Sequence, residues 1–336
     1  MNELKQTIKD MVVAGKGILA ADESVSTAAK RLASINVEST EETRRQYRNL
    51  ILTASGIERY LCGVILYEET LKQKTDAGVL FPKHLSNIGV VPGIKVDQGL
   101  VDIDNGEQCT KGLDVLGNRL EEYKKSGCRF AKWRAVYSIS EKTPSTAIIQ
   151  RNSEDLAKYA KICQEHGIVP IVEPEVLIDG AHSIGKCQEV TEKVLKAVFD
   201  SLKKGNIAVD LSILKPSMVL SGKQAGNRAG VQEVARRTIE TLKKTIPSEL
   251  PSINFLSGGQ SPEEATAHLN AMHTLYRNLP WYVSFSYARA LQEPALKAWK
   301  GKAENLEAGQ KAFLRRAKLN SLASMGRYSE DMEKEA

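Results

Sequence analysis

Eight short apolar or β-branched runs recur along the 336 residues, each followed by a longer, charged segment. They lie at "GILAADES" (17–24), "CGVILYEE" (62–69), "VPGIKVDQ" (91–98), "RFAKWRAVY" (129–137), "IVPIVEPEV" (168–176), "AVDLSILKP" (208–216), "SINFLSGG" (252–259) and "YVSFSYAR" (282–289). Near-continuous apolar character means that both faces of such a strand are buried, which suits a parallel sheet clad in helices. Eight strand–helix repeats are the number that closes an α/β fold into a (β/α)8 TIM barrel. A doubly wound open sheet is the alternative, but no Gly-x-Gly-x-x-Gly follows the first run. No linker rich in Pro, Gly or Ser divides the chain, so the expectation is a single domain over 1–336. It opens with an amphipathic helix carrying Leu4, Ile8, Met11 and Val12, and closes with a helical region and tail over about 290–336.

The intervening segments carry helix punctuation. "STEE" at 39–42 reads as a capping box from Ser39 to Glu42, and "SPEE" at 261–264 adds Pro262 at the first helical position. Gly127, Gly167 and Gly205 stand where helices should stop.

Composition narrows the function classes. Hydrophobic residues make up 42% and charged residues 26% of the chain, enough for a large core. The net charge of +6 comes from Lys and Arg scattered among Glu on helical segments, which argues against a nucleic-acid footprint and leaves acidic small molecules such as phosphates in play. The five cysteines (Cys62, Cys109, Cys128, Cys163, Cys187) form no Cys-x-x-Cys pair and suit reduced thiols in the cytoplasm. The N-terminus lacks the pattern of a secretory signal, and no apolar stretch reaches membrane-spanning length, so no membrane partner is expected. The five histidines do not share a helical face in pairs, so no metal is expected; His182 reads as a surface-loop residue.

Barrel active sites form at the C-terminal ends of the strands. There the chain places Asp22 and Ser24, Lys95 and Asp97, Lys132 and Arg134, Glu173 and Glu175, Lys215, the "SGGQ" turn and Arg289. Any one of these could be a solvated strand end. Together they would cost several kcal/mol per unpaired buried ion, a cost that Val or Ile would avoid. In "VDLSILKPSMVL", alternation puts Lys215 on the same face as Leu211 and Ile213, at the end of a buried strand. Loss of solvation there, with cations at Lys132 and Arg134 nearby, favours a neutral amine able to attack a carbonyl. The resulting imine is an electron sink that allows a neighbouring C–C bond to break. Glu173 and Asp22 could move the protons. Paired glycines after the seventh run and Arg289 after the eighth match the phosphate site that barrels often build there. Schiff-base chemistry on a phosphorylated ketone follows.

"KGILAADES", "GIKVD", "FAKWR", "GIVPIVEPE", "LKPSMV", "FLSGGQS" and "FSYARALQ", in this order from about residue 14 to 328, resemble the class I, metal-independent fructose-1,6-bisphosphate aldolases. The resemblance implies reversible aldol cleavage of fructose 1,6-bisphosphate, with no cofactor, in a homo-oligomer that is commonly a tetramer. It implies that Lys215 forms the Schiff base, that Glu173 is the acid/base, and that Asp22 helps deprotonate the carbon-4 hydroxyl. Lys132 would assist at the carbinolamine, and Glu175 would support these lysines. Ser257, Gly258 and Arg289 would hold the carbon-1 phosphate, and Gly259 and Ser286 would also bind substrate or phosphate. Ser24, Thr27, Lys30, Arg31, Lys95 and Arg134 would lie near the carbon-6 phosphate.

Four departures stand out. Thr27, in "DESVST", replaces a phosphate-contacting Ser of "DESTGS" in many animal members, and Gln98 replaces a common lysine. Ala288 replaces a frequent Gly, where a left-handed backbone would cost about 1 kcal/mol or more. The tail ends "GRYSEDMEKEA", without the terminal tyrosine that animal enzymes use in enamine protonation, so another donor or a slower half-reaction is implied. An aldolase for a related ketose 1-phosphate and a catalytically silent phosphate-binding scaffold are the competing readings.

Overall fold

The computed structural model describes residues 1–334. Eight parallel strands, β1 (Gly17–Ala21), β2 (Leu61–Leu66), β3 (Val91–Lys95), β4 (Phe130–Tyr137), β5 (Val169–Val176), β6 (Ile213–Leu214), β7 (Ser252–Phe255) and β8 (Tyr282–Tyr287), close into a barrel. Each strand pairs with its neighbours in sequence, and β8 returns to β1 through Ile18 opposite Ser286. The chain therefore adopts the expected (β/α)8 fold. No helix among the described residues is long and apolar enough to cross a membrane.

Two apolar clusters divide the packing. One fills the lower barrel with Ile18, Val91, Phe130, Val169, Ile171, Leu211 and Ile213, and is plugged from below by Leu4 and Met11 of helix Asn2–Met11. Space there is tight: a Cβ on Gly93 would come 2.3 Å from the Phe130 ring. The larger cluster lies between the outward strand faces and the surrounding helices. Alternation sorts β6 between the two, Ile213 inward and Leu214 outward.

Several boundaries move for local reasons. The strand expected over 208–216 shrinks to Ile213–Leu214, because residues Val209–Leu211 form a 3-10 turn. Leu211 nonetheless packs on the same inner cluster as Ile213. The capping box before helix Glu41–Leu52 uses Thr40 and Thr43; the Ser39 hydroxyl instead accepts from Arg44, at 3.3 Å. Ser261 and Glu264 form the expected box ahead of Pro262. Gly127 and Gly167 take positive φ after their helices, whereas Gly205 does not; Asn206, at φ 53°, is the left-handed residue there. An unanticipated antiparallel hairpin, Leu100–Asp102 with Gln108–Thr110, follows β3. The C-terminal region contributes helices Arg289–Trp299 and Leu306–Ala323 and a turn at Glu330–Glu333; residues 335–336 of the expected tail lie outside the described residues.

Candidate active site

Lys95, Lys132, Arg134, Glu173 and Glu175 lie within β3, β4 and β5, whereas Asp22 and Lys215 follow directly on β1 and β6; together they reach the barrel mouth. There they line a cavity of about 880 Å³. Lys132, only 3% exposed, is its electrostatic centre. Its Nζ lies 2.7 Å from Asp22 Oδ2, 3.3 Å from Glu173 Oε2 and 3.5 Å from Asp97 Oδ2. Burial opposes this ammonium, but the carboxylates of Asp22, Glu173 and Asp97 outweigh burial and hold its pKa well above the ordinary lysine range. Burial likewise opposes the Asp22 carboxylate, and Lys132, Lys215 and Lys95 prevail to hold its pKa far below normal. Asp97 is lowered in the same way by Lys132 and Lys95, the latter donating to Oδ1 at 2.6 Å.

Lys215, also 3% exposed, is placed by its own backbone: its N–H donates to the Val172 carbonyl at 2.8 Å, continuing the β5–β6 ladder. Its Nζ lies 3.2 Å from Glu173 Oε1. Glu173 thus bridges the two buried lysines, one oxygen to each. The cations expected to disfavour the ammonium of Lys215 are themselves matched, Lys132 by three carboxylates and Arg134 by Glu175. One shared carboxylate, rather than bare positive charge, is the immediate ionic neighbour of Lys215. Glu175 pairs with Arg134, not with the lysines it was expected to support.

The loop after β7 forms a second feature. Gly258 and Gly259 take φ of 52° and 80°, a left-handed pair that a side chain would strain. Ser257 beside them and Ser286 on β8 line the cavity, and the Ser286 hydroxyl is buried with no hydrogen-bond partner. Arg289 begins helix Arg289–Trp299 at the rim, half exposed, and donates to the Gln260 carbonyl at 3.3 Å. The fully buried Gln260 side chain holds the loop from behind, donating to the Ser257 carbonyl at 2.7 Å and meeting His268 Nδ1 at 2.5 Å. Ala288 has φ −103°, so the left-handed strain expected there does not arise.

Toward β1 and β3 the cavity is lined by Ser24, Thr27, Arg31, Lys95 and Arg134. Ser24 caps helix Val25–Ala33, accepting from the Thr27 N–H at 3.3 Å. Arg31 pairs with Glu23 at 2.9 Å, while its Nε and one Nη are buried without a hydrogen-bond partner. Lys30 is exposed and does not line the cavity, one helical step away from Arg31. Tyr328 packs in the outer helical layer, its hydroxyl donating to Glu333 Oε1 at 3.0 Å, and is not a cavity residue. His182 lies in a half-buried loop away from the cavity.

The arrangement offers a buried amine beside a proton carrier, a second lysine locked among carboxylates, and a glycine loop with free polar groups. The family model for "Fructose-bisphosphate aldolase class-I" matches residues 3–336. The chain belongs to this family. It is 51% identical over 321 residues to "Fructose-bisphosphate aldolase 4, cytosolic" of Arabidopsis thaliana, covering 95% of this chain and 82% of that protein. It is 50% identical over 331 residues to "Probable fructose-bisphosphate aldolase class 1" of Xanthomonas axonopodis pv. citri, covering 98% and 99%. A fructose-bisphosphate aldolase from Plasmodium falciparum, solved with TRAP and a small-molecule inhibitor, superposes with a TM-score of 0.96 at 46% identity, covering 98% of this chain and 95% of that one.

Against the class I aldolase reading of the sequence, Asp97 and Gln260 are the residues whose parts were missed. Asp97 stood in a quoted motif without a role, although its spacing from Lys95 placed both on one face. Gln260 carried no signal beyond its place after the paired glycines, because its partner His268 comes from the next helix.

Proposed function

We propose that the chain catalyses reversible aldol cleavage of D-fructose 1,6-bisphosphate to glycerone phosphate and D-glyceraldehyde 3-phosphate through an imine on Lys215. The observation that carries this reading is the bridge of Glu173 between Lys215, at 3.2 Å, and Lys132, at 3.3 Å. A carboxylate at that distance is positioned to take a proton from Lys215, freeing the amine to attack carbon 2 of the ketose. The same carboxyl returns a proton to the carbinolamine hydroxyl, which leaves as water and gives the iminium. Lys132 stays charged among its carboxylates and stabilises the oxygen in that step. Asp22, kept ionised, is suited to orient the carbon-4 hydroxyl; the Glu173 carboxylate, freed again by the dehydration, takes that proton as the C3–C4 bond breaks, which releases the aldehyde and leaves an enamine. Protonation at carbon 3 and hydrolysis of the imine then return glycerone phosphate and free Lys215.

Ser257, Gly258, Gly259, Ser286 and Arg289 suit the carbon-1 phosphate, and Ser24, Thr27, Arg31, Lys95 and Arg134 suit the far phosphate. The number of cations at the far end favours the bisphosphate over a ketose 1-phosphate. We also propose that the chain acts as one domain, in the cytosol as its Arabidopsis relatives' names suggest. Its assembly would be the homotetramer that the resemblance implies. Sedimentation equilibrium should give four chains per particle, and a monomeric mass would exclude that assembly.

Borohydride trapping in the presence of fructose 1,6-bisphosphate and EDTA tests the mechanism. The expected result is a substrate-derived adduct on the Lys215 peptide, with loss of activity. Absence of an adduct there, or cleavage abolished by EDTA alone, would overturn the Schiff-base assignment.

A further inference from the structure

Gln98 leaves the segment that follows β3 uncharged at a position where the resemblance drawn from the sequence would place a lysine. The hairpin beyond it brings a different cation to the same place. The Gln98 N–H donates to the Lys111 carbonyl at 2.9 Å, and the Lys111 N–H donates to the Gly99 carbonyl at 3.1 Å. Two residues on one strand thus face one on the other, a bulge with Gly99 at φ 95°. The Gln98 side chain is turned against Gly112, where a Cβ would come 2.9 Å from its Cγ. Gln98, Gly99 and Lys111 all line the cavity, beside Lys95.

Lys111 also differs from the inner cations in its pairing. Lys95, Lys132 and Arg134 each have a carboxylate partner. Lys111 has none among the described residues and is exposed at the rim. Arg119, the next cation along this wall, is held by the Val96 carbonyl at 3.0 Å and the Tyr123 hydroxyl at 2.9 Å, also without a carboxylate. In the barrel order β3 lies opposite β7, so this wall faces the Gly258–Gly259 loop across the mouth. A cation left unpaired on the rim of a site lined with matched charges is available to an anion of the ligand.

We infer that Lys111, the unpaired cation on this rim, contacts the phosphate of the substrate farthest from the Gly258–Gly259 loop. This rests on the aldolase reading above. Lys111 is accordingly a specificity residue for the bisphosphate, delivered by the hairpin from a position outside the strand-end motifs.

Steady-state cleavage of fructose 1,6-bisphosphate and of fructose 1-phosphate, which lacks the far phosphate, tests it. Lys111→Met should lower kcat/KM on the bisphosphate about three- to tenfold, mainly through KM, the size of one solvent-exposed charged contact. On fructose 1-phosphate its effect should stay below about twofold. Adding Gln98→Lys to Lys111→Met should recover most of the loss, and Lys111→Gln should repeat the defect without the shape of Met. Equal losses on the two substrates, or no loss on the bisphosphate, would overturn the assignment of Lys111 while leaving the aldolase reading intact. Wild-type protein that cleaves neither ketose phosphate would instead sink the aldolase reading, and this inference with it.

Discussion

Lys132 shows how a buried ion becomes useful. Alone, an ammonium only 3% exposed would be destabilising by several kcal/mol. With Asp22, Glu173 and Asp97 around it, the charge is retained and fixed in position, and Glu173 keeps its other oxygen for Lys215. His268 illustrates the opposite solution, a buried base kept neutral. Burial lowers its pKa from 6.5 to about 4, while its ring meets the Gln260 side chain that holds the glycine loop. The folded protein therefore stays unprotonated at His268 where the unfolded chain takes up a proton. Stability carries no dependence on this group above about pH 6.5. It should fall as the pH drops from about 6.5 to about 4, by about 3 kcal/mol in total, and level off below. Urea midpoints at pH 7 and 4.5 for wild type and His268→Gln check this: the gap between the two pH values should shrink by about half or more in the variant. An undiminished gap would mean that other groups govern acid stability.

Elements differ in how far local sequence dictates them. The capping box at Ser261 formed where expected because its partners are three residues apart and belong to the same turn. At the helix Glu41–Leu52, Ser39, Thr40 and Thr43 offered two overlapping solutions, and the choice went to Thr40 once Arg44 engaged the Ser39 hydroxyl. β6 is the clearest case of a strand that pattern overstates. Its apolar alternation continues from Leu211 to Lys215, yet only Ile213 and Leu214 are strand residues, with the Lys215 N–H adding one last bond to the ladder. The inward face survives the loss of strand geometry, which is why Lys215 points into the cavity all the same. The hairpin after β3 left little trace in the sequence, since its three-residue strands are partly exposed and lack a sustained alternation.

For the whole molecule, the barrel separates two jobs along its axis. Its lower half is a packed apolar plug closed by helix Asn2–Met11, and its upper half is a polar cavity that gives up packing for charge. Stability and chemistry should therefore be separable by mutation. Met11, 1% exposed within the lower cluster, lies among Leu4, Ile18 and Leu211. Met11→Ala should cost about 2–5 kcal/mol in the unfolding free energy, read from urea melts. The KM for fructose 1,6-bisphosphate at 25 °C should change by less than about twofold, since a cavity of that kind relaxes locally. A large rise in KM at unchanged stability would show that the lower plug positions the site directly.

The period-2 alternation of the strands, their number, and the charged residues within or just after each run were enough to determine the barrel and to bring Asp22, Lys132, Glu173 and Lys215 to one mouth. Those are properties of local backbone geometry, and in a closed parallel barrel every strand end faces the same way. Partner choice was decided by the tertiary structure alone. Which carboxylate holds which cation, that Glu175 goes to Arg134 and Asp97 to Lys132, depends on ångström separations between different strands. The exclusion of Lys30, the engagement of Gln260 by His268 and the arrival of Lys111 beside Gln98 are of the same kind. Electrostatic and hydrogen-bond energies fall off steeply with distance, and those distances arise only when the barrel closes.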